Sequence, residues 1–372
     1  MDLQRKNFKN IIKLAGIYFR EIDLVLFATV VAVSLFSIIN IYGIVGSESP
    51  FFQRHVVFIG IGLVTMVAFS FFNYRYLKNY SFPVLTLYFT SIALLALTFY
   101  SRTVRGTNSW IVFGALTFEP AELAKLAIII FMAKYFSRRH VYIHQFKNII
   151  IPAIYFAIPA IIIIEQPDLG SAVVLGLIWV SMLMAAGINK KHFVILLVVA
   201  MITAGLSWSF VLKPYQKIRV VSFLNPYQDP RGSGYNVIQS KIAIGSGSWF
   251  GKGLGKGSQA VLGFLPESHN DFIFAALAEQ FGFAGVSFFL ATILLILYRI
   301  IDIGSRTVTN FGKLFSLGLA IFIFLHVFIS AAVNIGLLPV TGISTSFLSY
   351  GGSHTVSLMA GLGILQSIKR YG

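Results

Sequence analysis

Long apolar runs, each bounded by polar or charged residues, recur along the whole 372-residue chain. A run of about 20 apolar residues is long enough for a helix to cross a bilayer, and a helix satisfies its own backbone hydrogen bonds there. Ten runs begin near Leu24, Val56, Phe82, Thr117, Asn148, Leu169, Phe193, Asp271, Leu314 and His354. The pattern therefore predicts an all-α polytopic membrane protein with about ten transmembrane helices, forming one membrane domain over residues 1–372.

The fifth and sixth runs are separated only by the short stretch EQPDLG, residues 165–170. Proline and glycine in such a stretch are typical of a tight turn. The sequence predicts two helices here, and a single bent helix is the competing interpretation.

Composition and charge support a membrane protein, since 57% of the residues are hydrophobic and only 11% are charged, against about 25% charged in soluble domains. If residues 1–22 are a cytoplasmic tail and the spans alternate, the short outer loops hold only the basic residues Arg54, Arg102 and Arg105. This asymmetry fits the positive-inside rule. It predicts that both termini are cytoplasmic, and it explains the net charge of +16 without a nucleic-acid partner. The absence of cysteine excludes disulfides and thiol catalysis.

One predicted outer connection, residues 213–270 between the seventh and eighth spans, is much longer than a usual loop. Its aromatic residues argue against disorder. Residues 237–258 begin as an amphipathic helix and end in a glycine-rich segment that contains Lys252 and Lys256. The backbone N–H groups of this segment could bind phosphate, next to the two lysines. A flexible loop with solvated lysines is the alternative. The excess of basic residues predicts contacts with anionic head groups of membrane lipids or with phosphates, and it includes Lys217, Arg219 and Lys241.

Carboxylates are scarce, at 13 in the whole chain, and several lie at predicted outer ends of spans: Glu119, Glu122, Glu165, Asp168 and Asp271. Ionisable groups at membrane depth are costly and usually pair or face a polar cavity. Several of the candidate site residues have a purely structural alternative role. Glu122 and Lys125 can form an i,i+3 ion pair, and Asp271 can be a helix N-cap. Asp168 can be a turn residue, and His269 a plain interfacial histidine.

Four sequence blocks occur in one order along the chain: FEPAELAKLA (118–127), EQPDLGSA (165–172), the loop from NPYQDPRGSGYN to FLPESHNDFIFA (225–275), and GLLPVTGISTSFLSYGGS (336–353). Together they resemble the SEDS proteins (shape, elongation, division and sporulation), with wording closest to the elongation branch. The family pattern usually has Gln-Pro-Ser-Glu at 119–122, His-Thr-Asp at 269–271 and Gly-Ile-Pro-Leu-Pro at 342–346. This chain differs at all three.

The resemblance implies ten transmembrane helices in the bacterial inner membrane and a peptidoglycan glycosyltransferase that polymerises lipid II on the outer face. It also implies a class B penicillin-binding protein as partner for transpeptidation. Asp271 would be the general base for the acceptor sugar hydroxyl. Glu122, Lys125 and Asp168 match family positions in the substrate site, Arg54 fits a basic position, and Glu267 and His269 belong to the same block as Asp271.

The chemistry is consistent with these roles, because a sugar hydroxyl is a poor nucleophile and needs a base within hydrogen-bond reach. The departing lipid pyrophosphate needs positive charge, from basic residues or from a divalent cation such as Mg²⁺ in contact with Asp271. No cofactor is otherwise implied. Two other functions stay open: a flippase for lipid-linked precursors, with Glu122, Lys125 and Glu279 on its path, and a non-catalytic scaffold of the elongation machinery.

Overall fold

Ten helices of 17 or more residues dominate the part of the chain that the computed structural model describes, which is residues 21–101, 108–114, 116–139, 147–232 and 234–372. In chain order the helices are α1 (Leu24–Val45), α2 (Pro50–Phe71), α3 (Arg75–Asn79), α4 (Ser81–Leu97), α5 (Pro120–Arg139), α6 (Lys147–Glu165), α7 (Leu169–Ala185), α8 (Lys190–Leu206), α9 (Pro214–Leu224), α10 (Tyr235–Ser246), α11 (Ser258–Val261), α12 (Ile273–Arg306), α13 (Asn310–Ile335) and α14 (Gly352–Tyr371). Two short antiparallel strands, β1 (Ile111–Phe113) and β2 (Leu116–Phe118), pair with Ile111 opposite Phe118. Arg102, Arg105 and the predicted tail up to residue 20 lie outside the described residues.

The predicted class, an all-α polytopic membrane protein, is confirmed. By length and composition, seven helices of the described chain can cross a membrane: α1, α2, α4, α6, α8, α12 and α13. Helix α7 is apolar but shorter, and α5 and α14 are almost wholly buried in the bundle. A helix that is covered by other helices can carry polar groups, because few of its side chains meet lipid. The count of ten spans stays a prediction.

The predicted helix starts lie close to the observed ones, and the largest difference is at α2. This helix begins at Pro50 rather than near Val56, because Ser49 caps its N-terminus and proline is favourable in its first turn. Residues 53–55 (QRH) are polar, so the uninterrupted apolar run of this helix begins only at Val56. Helices α6 and α7 are separate, so the single bent helix is excluded.

Helix α12 is broken within its first third by Gly282, whose φ of 64° and ψ of −161° are not helical. The break leaves backbone groups without helical partners, and the glycine-rich segment supplies them. Lys252 N and Gly253 N donate to the carbonyls of Glu279 (2.9 Å) and Gln280 (3.1 Å). Only glycine fits at 282, since a Cβ there would lie 2.4 Å from Gly251 N. Irregular backbone at membrane depth is tolerated where protein covers it in this way.

The side chain of Glu279 fixes the same segment. It is buried and accepts hydrogen bonds from Lys252 Nζ (2.9 Å) and from the backbone N–H groups of Gln259 and Ala260 (both 2.9 Å). The predicted amphipathic helix is present as α10, but its Ala243 packs against Phe272 and Ala275 of the protein rather than entering a membrane interface. Residues 237–258 are therefore folded onto α12 and α13, and Lys252 is paired rather than solvated.

Candidate active site

Asp271 lies on the wall of a cleft of about 150 Å³, built from five separate stretches of chain. They are the approach to α5, the α6–α7 turn, α9, the start of α12 and the connection between α13 and α14. The lining residues are Ser109, Trp110, Glu119, Pro167, Asp168, Leu169, Gln216, Arg219, Val220, Asn270, Asp271, Pro339, Val340, Thr341, Gly342 and Ser344. Three residues predicted from sequence, Asp168, Arg219 and Asp271, thus come together from distant positions.

Asp271 does not cap α12, since the helix begins at Ile273 and the cap position belongs to Phe272 without a side-chain hydrogen bond. Asn334, in the last turn of α13, takes over that task, because its Oδ1 accepts from the N–H of Ala275 (3.0 Å). The Asn334 Nδ2 group donates to the carbonyl of Asp271 (2.9 Å). The backbone of Asp271 is therefore fixed by a buried side chain, and Asp271, itself half-buried, lines the cleft.

Asp168 is the N-cap of α7 rather than a simple turn residue, and its Oδ1 accepts from Ser171 N at 3.0 Å. The Ser171 hydroxyl donates to Glu119 Oε1 at 3.4 Å, so two carboxyls lie near one serine. Burial, and then the charges of Glu122 and Asp168, raise the pKa of Glu119 well above its usual range. Burial also raises the pKa of Asp168. Both shifts favour the neutral form of the carboxyl.

Arg219 is the basic side chain among the cleft-lining residues of the described chain. It is exposed on α9 and donates to the carbonyl of Val340 (3.4 Å), on the opposite wall. Lys217 lies on the same helix but lines a different cavity, beside Asn225 and Asp229.

The remaining predicted basic residues are not at the cleft wall. Lys241 lies over the C-terminus of α13, where a Cβ at Gly336 would be 2.4 Å from its Cε; a cation there is favoured by the helix dipole. Arg54 is in the first turn of α2 and is half-buried. Lys252, which the sequence suggested beside a phosphate, is paired with Glu279 instead.

Glu267 and His269 precede Asp271 in a tight turn in which Glu267 has a positive φ of 53°. Their nearest charged atoms, His269 Nε2 and Glu267 Oε2, are 3.9 Å apart. The His269 ring packs on Phe51, with centroids 4.4 Å apart, and lies near Tyr350. This aromatic contact joins the Asp271 turn to the start of α2, which agrees with a structural role for the histidine.

Beneath the cleft, Glu122 and Lys125 form the predicted ion pair, with 2.7 Å between Oε1 and Nζ. Sequence analysis missed the two histidines that complete the group. His354 Nδ1 lies 2.8 Å from Glu122 Oε2, and Lys125 Nζ lies 3.3 Å from His326 Nε2. All four side chains are buried. The two histidines lie more than 200 positions further along the chain, so no local spacing could have revealed them.

Glu122, His326 and His354 are also the one group of the described residues with the composition and spacing of metal ligands, since their ligand atoms all lie within 4.8 Å of one another. The chemistry of the donor set does not suit Mg²⁺, which prefers oxygen ligands. Lys125 already places an ammonium between Glu122 and His326, and a second cation there would be repelled.

Comparison with known proteins gives a consistent result. A family model described as cell cycle protein, FtsW/RodA/SpoVE, matches residues 16–372. The chain is 34% identical over 348 residues to the peptidoglycan glycosyltransferase MrdB of Escherichia coli K12, which covers 94% of this chain and 93% of that protein. It is 36% identical over 326 residues to the stage V sporulation protein E of Bacillus subtilis, covering 87% and 88%.

Solved structures share the fold. One is a chain from a study of how a peptidoglycan synthase complex coordinates polymerization and crosslinking, with a TM-score of 0.80, 30% identity, and coverage of 94% of this chain and 98% of that one. Another is the rod shape determining protein RodA of Thermus thermophilus, with a TM-score of 0.70, 26% identity, and coverage of 94% and 97%.

Proposed function

The chain belongs to the FtsW/RodA/SpoVE family of cell cycle proteins, and from this premise we propose that it is a peptidoglycan glycosyltransferase that polymerises lipid II during cell-wall elongation. The observation that carries the proposal is the cleft, in which Asp271, Asp168 and Arg219 meet although they come from three distant parts of the chain. Two relatives are 34% and 36% identical to this chain over most of its length, and the first of them is named a peptidoglycan glycosyltransferase.

Asp271 acts as the general base in this proposal. Its carboxylate accepts the proton of the acceptor sugar hydroxyl while that oxygen attacks the anomeric carbon of the donor. The carbon–oxygen bond to undecaprenyl pyrophosphate breaks in the same displacement, and the pyrophosphate leaves with the electron pair. Support comes from the fixed backbone of Asp271, held by Asn334, because a base must be positioned within hydrogen-bond distance of the proton it takes.

The pyrophosphate requires positive charge, and Arg219 provides it from the cleft wall, where a guanidinium can bind phosphate oxygens in a bidentate way. The carboxyl oxygens of Asp271 and Asp168 are also donors that suit Mg²⁺, and such a cation would neutralise pyrophosphate charge. Substrate contacts of Arg54, Lys217, Lys241, Glu267 and His269 stay predictions.

The cleft is assigned to the outer face of the bacterial inner membrane, with both termini in the cytoplasm, because the distribution of Lys and Arg favours that orientation. Crosslinking of the glycan is assigned to a class B penicillin-binding protein, since the 213–270 connection is smaller than a separate enzymatic domain. The flippase alternative has less support, because Glu279 is fully engaged by Lys252 and backbone N–H groups.

The test is polymerisation of lipid II by the purified protein with its partner, comparing Asp271→Asn with the wild type. Asn keeps the shape but cannot take up a proton, so we expect a loss of at least about 100-fold in rate, the usual contribution of a positioned base. Asp302→Asn, a matched change on α12 outside the cleft-lining set, should keep its rate. Near-normal polymerisation by a folded Asp271→Asn variant would remove the base from the mechanism.

A further inference from the structure

The connection between α13 and α14 has no helix or strand from Gly336 to Thr345, yet it forms one wall of the cleft through Thr341, Gly342 and Ser344. Serines and a threonine stand at positions 344–346 in this chain. None of these residues restricts the backbone as proline does. The conformation of the connection therefore has to be fixed by contacts with other parts of the protein.

The contacts come from the two histidines beneath the cleft. His326 Nδ1 lies 2.9 Å from the carbonyl oxygen of Ser344, and His354 Nε2 lies 3.0 Å from Ser346 Oγ. Both histidines and Ser346 are buried, so water does not compete for these hydrogen bonds, and a missing partner would leave a costly unsatisfied group.

The partners define the tautomers. A carbonyl only accepts, so His326 Nδ1 carries the hydrogen, and its Nε2 is the acceptor for the Lys125 ammonium. A carboxylate also only accepts, so His354 Nδ1 donates to Glu122 Oε2. In this arrangement each ring nitrogen has a hydrogen-bond partner, which suits the burial of the group. The ion pair thus orients both rings, and the rings hold the connection.

The same connection reaches Asp271. Ser349 Oγ accepts from Thr345 N (2.7 Å) and donates to the carbonyl of Asn270 (2.9 Å), while Tyr350 N donates to the carbonyl of His269 (3.0 Å). Hydrogen bonds joined by the backbone of residues 344–350 therefore connect the Glu122–Lys125 pair to the two residues before the proposed base.

We propose that His326 and His354 are positioning residues for the glycosyl transfer: they hold the 342–346 connection against the cleft and thereby keep Asp271 in its reactive place. This inference rests on the proposed function, because it assumes that Asp271 is the base. Neither histidine touches the substrate in this arrangement, so their loss acts on the rate of the chemical step rather than on substrate binding. Misplacement of a reacting group by about 1 Å can cost on the order of 100-fold in rate.

The experiment uses purified full-length protein in its complex with the partner, with lipid II as substrate. His326→Phe removes both ring contacts, whereas His326→Asn retains a donor near Nδ1 for Ser344. Ser346→Ala removes only the partner of His354 and leaves the bundle untouched. We expect kcat to fall at least about tenfold in His326→Phe and severalfold in Ser346→Ala, with KM unchanged. His326→Asn should recover most of the rate.

The matched control is Tyr88→Phe, which removes the hydrogen bond from a buried tyrosine to the carbonyl of Tyr155 at 2.9 Å. All rates are divided by the folded fraction, measured by size-exclusion chromatography and thermal unfolding. Unchanged kcat in both His326→Phe and Ser346→Ala, with Asp271→Asn inactive, would overturn the positioning role while the proposed function stands. Stoichiometric metal in the wild type, lost in His326→Phe together with activity, would also overturn it. Inactive wild-type protein would instead refute the proposed function.

Discussion

Removal of one charge from the buried pair beneath the cleft is expected to destabilise the protein strongly. The pair joins Lys125 Nζ and Glu122 Oε1 at 2.7 Å, and the side chains are 0% and 3% exposed. Lys125→Met keeps the apolar length of the side chain and leaves a buried carboxylate with His354 as its remaining donor. Such a change costs about 3–5 kcal/mol. At about 2 °C per kcal/mol for a chain larger than 250 residues, Tm should fall by about 6–10 °C.

The double variant Glu122→Gln with Lys125→Met distinguishes charge from packing. It removes both charges, and replacement of a whole buried pair is often nearly neutral, so its Tm should lie above that of Lys125→Met alone. Thermal unfolding in detergent, followed by tryptophan fluorescence, measures the three proteins under one scan rate, with the exposed Lys191→Met as control. A decrease in Tm of less than 2 °C for Lys125→Met would refute the charge argument. A double variant with a lower Tm than Lys125→Met would refute it as well.

Two further predictions follow from other parts of the structure. Glu279→Gln should speed tryptic cleavage after Lys252 or Lys256 at least about tenfold, because hydrogen bonds to a charged group contribute about 1.5–3 kcal/mol. The exposed Glu48→Gln is the control. Equal cleavage rates in the two variants would contradict the role of Glu279 in holding the glycine-rich segment. In this cysteine-free chain, an impermeant thiol reagent added to intact cells should label Lys256→Cys and not Lys190→Cys, and the reverse result would invert the orientation.

The sequence was sufficient for the long helices, because the cost of exposing polar groups to lipid makes apolar runs unmistakable. It was less reliable where polar residues interrupt the apolar run, as residues 53–55 do in α2, and where an apolar helix contains an irregularity. In the sequence, Gly282 is one glycine within the span predicted to begin near Asp271. Its role appears only when the glycine-rich segment at 248–253 is placed against it, which is a contact between distant parts of the chain.

In the candidate site, too, pairing within one helix could be predicted, whereas contacts between distant parts of the chain could not. Glu122 and Lys125 are one helical turn apart, so their pairing followed from spacing alone. Glu279 could be suspected of a functional role because it is a carboxylate at membrane depth, but its partners are the loop lysine and two backbone N–H groups. Residue type alone cannot distinguish a carboxylate that anchors a loop from one that faces a substrate.

Asp271 illustrates why tertiary contacts decide the matter. As an isolated Asp before an apolar run, it had the properties of an N-cap, and that was the simpler interpretation. In the folded chain Asn334 performs the capping, through Ala275 N, and holds the Asp271 carbonyl as well. The backbone of Asp271 is thereby held in place, and the residue lines the cleft. A residue from another helix thus performs the capping that residue type had suggested for Asp271, and this could not be predicted from the residues around position 271.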